Sequence, residues 1–231
     1  MRATSGASAA SAASATTVAP SLDVVRLDET ALSVGDAEGL VSGDYREAEL
    51  FDGADLSEYD LAGCSFLDCR FDQVTLTDAE LRGSRIIDSV FTGSFAHSLK
   101  AARTTWRDVR FESPRWGSAE LFDSELESVH VVGGKIDYLN LRGSRLTNVI
   151  VEQCVIGDLD LGGFTGDRVA FVNCRIGTLD VTRATCRNVD LRTSEFAAVH
   201  GIAGLAGVTI DDGQLSLLAP VLAGHLGLRV E

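Results

Sequence analysis

The chain has 231 residues, 45 % of them hydrophobic, and a formal charge of −14 at pH 7 from 34 acidic and 20 basic residues. The acidic surplus excludes the basic footprint of a nucleic-acid-binding surface, and no apolar run is long enough to span a bilayer. A chain of this length can bury one sizeable core.

Residues 1–20 (MRATSGASAASAASATTVAP) are low-complexity Ala/Ser/Thr. They lack the apolar stretch of a secretory signal and the large side chains whose burial would offset the entropy of ordering, so they are expected to be a disordered leader. Residues 21–44 contain the partly apolar run Leu22-Asp23-Val24-Val25-Arg26-Leu27, which predicts a short strand or an N-terminal cap. From Asp44 to Asp68 acids outnumber bases strongly, as suits the exposed edge of a first coil, which charge can blunt.

From Phe51 to Phe196 every fifth residue is large and apolar: of these 30 positions, 26 are Leu, Ile, Val, Phe or Trp. Composition alone would place roughly 13 apolar residues there. Two residues before each centre runs a second inward series, mostly small, including Ala54, Cys64, Val74, Ala79, Ser84, Ser144 and Cys174. A period of five is neither the 3.6 of a helix nor the 2.0 of a strand. Residues 20 apart also match, as in the column Phe51, Phe71, Phe91, Phe111, Val131, Val151, Phe171, Leu191. Stacked rungs about 4.8 Å apart would pack such side chains flush, and an array of this kind needs several repeats and atypical ends.

The unit, written nearly in full at Ala54-Asp55-Leu56 and Ala79-Glu80-Leu81, resembles the pentapeptide-repeat family over about residues 45–200. The resemblance implies an all-β solenoid: a right-handed quadrilateral β-helix with four pentapeptides per coil, seven to eight coils in residues 45–200. Gly63, Gly83, Gly143 and Gly163 fall on one corner, where positive φ favours glycine. Asp68, Asp88, Asp108, Asn148 and Asn188 fall on another, where a short polar side chain is expected to bond its own backbone. Both series are read as structural.

Cys64, Cys69, Cys154, Cys174 and Cys186 all fall at inward positions. An odd number of cysteines without a secretory signal points to a reducing, cytoplasmic setting. No ligand spacing for zinc is present. Between Phe91 and Ala102 the centres shrink to Ala96 and Ala101, and Phe95 or Leu99 is expected to fill the space; Gly166 beside Phe164 looks like a smaller version of the same swap. Residues 201–231 read as a C-terminal helical cap. Asp211 and Gln214 have capping-box spacing, Leu215, Leu218 and Leu222 form an apolar stripe, and Pro220 should break or kink the helix before it ends at His225–Gly227.

Candidates for catalysis are thin: His97, His130, His200 and His225 are dispersed, and no phosphate-cradling glycine loop occurs. No catalytic residue, cofactor or metal is assigned, and the chain is not expected to be an enzyme. The best candidate site is a ladder of outward acids at twenty-residue spacing, Asp60, Glu80, Glu120, Asp160 and Asp180, interrupted by Lys100 and Asn140 and flanked by Arg82 and Arg142. The leading functional expectation is a non-catalytic rod that scaffolds protein interactions, with its partner unidentified. The alternative comes from the resemblance: gyrase-protecting members of the family act as acidic DNA mimics that occupy a topoisomerase. The resemblance also implies a homodimer joined end to end through the C-terminal segment, with Leu215, Leu218 and Leu222 at the cap or dimer surface.

Overall fold

Five residues per side and four sides per coil bring each residue against the one twenty positions on, and the strand pairings follow that register. Phe51 pairs with Phe71, Phe71 with Phe91 and Phe91 with Phe111, all in parallel. The structure, a computed structural model, describes residues 16–22 and 25–229. Its strands form one twelve-stranded and one six-stranded parallel sheet wound into a right-handed β-helix of about nine turns. That exceeds the seven to eight coils expected, because pairing extends past both ends of the repeat. Ser33–Val34 pairs with Glu49 and Leu50, and Val208–Thr209 pairs with Val189 and Asp190.

Burial follows the five-residue period. Every centre from Phe51 to Phe196 is buried except Val131 and Cys186, which are half-buried. The phenylalanine column stacks face to face, with ring centroids 5.0, 4.3 and 4.9 Å apart from Phe51 through Phe111. Phe66, Trp106 and Trp116 meet it edge-on or tilted. Each such pair contributes about 0.5–1.5 kcal/mol beyond the burial of its area.

The small inward column has a polar task as well. The hydroxyls of Ser84, Ser144 and Ser194 donate to the carbonyls of Leu61, Leu121 and Phe171, each 23 residues earlier, at 2.6–2.8 Å. The thiols of Cys64 and Cys174 donate to Val41 and Val151 in the same way. Serine and cysteine are interchangeable here because both are small and supply one donor to a carbonyl of the preceding coil. All five cysteines are free, and Cys186 alone is half-buried. Burial pushes the Cys69 and Cys186 thiols up to about 11.

The corners are left-handed. Gly63, Gly83, Gly143 and Gly163 have φ between 66° and 70°, and Asp68, Asp88, Asp108, Asn148 and Asn188 between 47° and 53°. The side-chain bonding expected of the second series is found elsewhere. Bonds to the backbone amide two residues on come from Asp55, Asp60, Asn140, Asp160, Asp180 and Asp190.

In the irregular coil Leu99 is buried, as expected of a space-filler, whereas Phe95 points outward, 40 % exposed, with its ring against His97. Phe164 fills the space at Gly166: a Cβ there would come within 2.7 Å of its ring.

The C-terminal helix, Asp212–His225, opens with the capping box. The Asp211 carboxylate accepts from the Gln214 amide, and the Gln214 side chain accepts from the Asp211 amide. Pro220 lies inside this helix and does not end it. Proline removes one backbone donor, and the remaining turn continues to Leu226, whose amide bonds Leu222, before Gly227 reverses the chain with φ 73°. The helix seats in register with the column of serines. Gln214, twenty residues after Ser194, donates from Nε2 to the carbonyls of Leu191 and Ser194, both at 2.6 Å. Leu218 is buried and Leu222 half-buried, while Leu215 remains 49 % exposed.

Thr17 and Val18, within the stretch 1–20 whose composition predicts a disordered leader, bond to the rod, as does Ser21 at the start of the expected cap segment. Residues 1–15 lie outside the described residues.

Candidate functional site

The outer face of the six-stranded sheet brings the predicted ladder together. Backbone pairing stacks Asp60, Glu80, Lys100, Glu120, Asn140, Asp160, Asp180 and finally His200 in one column. A second outward column, five residues earlier in each coil, carries Phe95, Arg115, Lys135, Val155, Arg175 and Glu195.

Between the two columns the strand residues include Gly117, Gly157 and Gly177. A Cβ at these positions would come 2.3–2.5 Å from the carbonyl oxygen of the preceding coil, so the sheet itself demands glycine. These glycines share their column with His97, Asp137 and Ala197, and the column beside it carries Ser98, Ser118, Tyr138, Asp158 and Thr178, so the backbone lies open only at the glycines. Phe95 and Val155 stand exposed along one flank, and a shallow groove beside them is lined in part by His97, Arg115, Lys135 and Gln153.

The acids of the ladder are largely committed. Asp60, Asp160 and Asp180 each accept a backbone amide at their own corner. The bonds from Thr182 hold the Asp180 carboxyl below its usual range. Glu80 pairs with Lys100 at 3.2 Å, and Asp160 with Arg142 at 3.6 Å. Lys100 and Arg142, which the sequence places in and beside the ladder, therefore pair with two of its five acids. The column follows from the period; the corner bonds were not foreseen, although an Asp or Asn three residues before a left-handed corner residue is the pattern that makes them.

The opposite side of the rod carries a second cluster that periodicity does not announce. His130 lies between Arg110 and Glu152: Arg110 Nη1 is 2.7 Å from Nδ1, and Nε2 is 3.2 Å from the Glu152 carboxylate. An arginine cannot accept, so Nδ1 is the acceptor and the ring proton sits on Nε2. Burial, then the Arg110 charge, hold the His130 pKa below its ordinary value. Among the described residues no group of three or more His, Cys, Asp or Glu is placed to hold a metal ion. No helix there is long and apolar enough to cross a membrane.

The pentapeptide-repeats family model matches residues 51–93 in 8 copies. These residues are pentapeptide repeats. The same register continues beyond the matched copies through Phe196. No curated protein matches it. Among solved structures it is similar to full-length QnrB1, a plasmid-mediated fluoroquinolone resistance protein, at 20% identity and TM-score 0.36, over 82% of this chain and 94% of that one. A trypsin-treated variant of QnrB1 gives 20% identity and TM-score 0.38, over 82% and 92%. HetL, a pentapeptide-repeat protein involved in heterocyst differentiation regulation from the cyanobacterium Nostoc sp. strain PCC 7120, gives 14% and 0.34, over 77% and 94%. Small differences in coil twist accumulate along a solenoid, and scores this low assign nothing beyond the likeness itself.

Proposed function

We propose that this pentapeptide-repeat rod is a non-catalytic module that binds a protein through the outer face of its six-stranded sheet. The observation that carries the reading is the open backbone at Gly117, Gly157 and Gly177 beside exposed Phe95 and Val155, between a column carrying Arg115, Lys135 and Arg175 and the acidic column. At these glycines a partner can approach the backbone closely, and rows of opposite charge fix its register. The exposed Leu215, Leu217 and Val221 of the C-terminal helix are the surface available for end-to-end association of two rods.

The alternative, occupation of a topoisomerase in place of DNA, needs a continuous negative stripe. The pairing of Glu80 with Lys100 and of Asp160 with Arg142 argues against it. The test places a photo-crosslinking residue at Val155 in cells, with the same residue at Arg183 on another side of the rod as control. A discrete protein adduct at Val155, absent at the control and lost on Arg175→Glu, is expected; equal or absent adducts at both positions would overturn the reading. In a gyrase supercoiling assay the parent should have no effect. An effect abolished by Asn or Gln at Asp60, Glu80, Glu120, Asp160 and Asp180 would establish the topoisomerase alternative instead.

A further inference from the structure

The twelve-stranded face, away from the proposed docking face, already holds a peptide. The corner residues Asn148 and Asn188 face the N-terminal segment: Asn188 Oδ1 accepts from the Val18 amide at 3.1 Å, and Asn148 Oδ1 from the Ser21 amide at 3.3 Å. Three extended residues at about 3.3 Å each cover roughly 10 Å, the height of two rungs at about 4.8 Å. The segment therefore runs extended along the rod axis, across the strands, with its amides turned to an acceptor on alternate rungs.

Burial agrees. Ala170 stands in the outward column between Ile150 and Asp190, yet it is only 7 % exposed. Its coil lies between the two that hold Asn148 and Asn188. Farther along, Leu22, Val25 and Leu27 line a cleft of about 510 Å³ with Val90, Arg110 and His130. Glu29 then closes the path on Arg70 at 2.7 Å.

This seat has the features of a peptide site. Side-chain acceptors stand two rungs apart, the span of three extended residues, and the outward Ala170 lies on the coil between them. Among the described residues, Leu22, Val25 and Leu27 border the cleft with their apolar side chains. The same corner column carries Asp68, Asp88 and Asp108 toward the N-terminal coils, with Ser128 and Arg168 on the rungs that flank Asn148. Arg168 donates to the Asn148 amide oxygen at 2.7 Å and so holds that acceptor in place for the Ser21 amide.

We propose that this face is a track for an extended peptide, held in cis by residues 16–22 and 25–29, and that a protein partner docks by laying an extended apolar segment of its own in the same seat. The cis segment acts as a competitor, because its tether gives it an effective concentration on the order of millimolar. The proposal goes beyond binding at the six-stranded face, and its test reads a different surface.

The test titrates a fluorescein-labelled peptide of residues 16–30 into the full-length parent and into a full-length Leu22→Asp/Leu27→Asp variant, with polarisation as readout. The variant should bind the peptide at least about tenfold more tightly than the parent, because its own segment no longer competes. Adding Asn148→Ala and Asn188→Ala should remove most of that gain. Equal binding by parent and variant, or no binding by the variant at about 1 mM peptide, overturns the proposal.

Should the strap variant fail to fold, Asn148→Ala/Asn188→Ala alone should speed tryptic cleavage after Arg26 in the native protein. An unchanged cleavage rate would then refute the track. If the parent has twice its chain mass in solution and the strap variant has one chain mass, the seat is filled by a second copy and the cis assignment fails.

Discussion

Replacing Gln214 with Leu would test whether the C-terminal helix closes the solenoid by extending its column of hydroxyl donors. The substitution keeps a helix-compatible side chain of similar size but removes the 2.6 Å donor shared by the carbonyls of Leu191 and Ser194. The Leu191 carbonyl keeps the Ser194 amide at 2.9 Å, so one buried acceptor, that of Ser194, is left without a partner, which costs about 1–3 kcal/mol. Half of the capping box also disappears, because the Asp211 amide loses its acceptor. Burying a leucine such as Leu218 contributes about 1.5–3 kcal/mol, so the loss is comparable to what docks the helix. Stability in a solenoid is a sum over neighbouring repeats, and the helix should therefore undock locally while the central coils stay folded. Amide hydrogen exchange is the assay. Residues 191–199 and 212–225 should lose protection, while fluorescence from Trp106 and Trp116, buried in the central coils, should not change. Unchanged protection at the C-terminal end of Gln214→Leu would refute this account of how the rod is closed.

Two further outcomes are expected. Native-state alkylation should label Cys186, which is half-buried, ahead of Cys64, Cys69, Cys154 and Cys174, whose sulfurs are buried; mass spectrometry of labelled peptides will show the order, and early labelling of Cys174 would contradict it. For His130 the folded-state pKa lies below the 6.5 of the free side chain. The unfolded chain consequently binds more protons just below pH 6.5, so stability is lost as pH falls from 6.5 toward the folded value. The melting temperature should drop between about pH 7.5 and about pH 5.5. That drop should shrink in His130→Gln, whose amide can still accept from Arg110 and donate to Glu152; identical slopes in the two proteins would be the contrary result.

The period of five, the twenty-residue columns, the inward cysteines and the box at Asp211 and Gln214 are all legible in the chain, because each depends on local spacing or on which face of a repeat must be buried. An apolar centre such as Leu141 is inward whatever its neighbours do, and a left-handed corner at Gly143 recurs wherever the side turns. The outward side chains obey no such constraint, so their partners are decided only when coils stack. Asp160 could have been a free carboxylate; stacking sets Arg142 beside it, and its own corner supplies the Gly162 amide. Asn148 and Asn188 read as turn residues and do adopt the left-handed conformation, yet their amide oxygens bond Ser21 and Val18, more than 120 residues away in the chain. Tertiary structure alone settled those contacts, because composition registers residues 1–20 as too poor in large side chains to order themselves and cannot register that a finished rod offers acceptors to the Val18 and Ser21 amides.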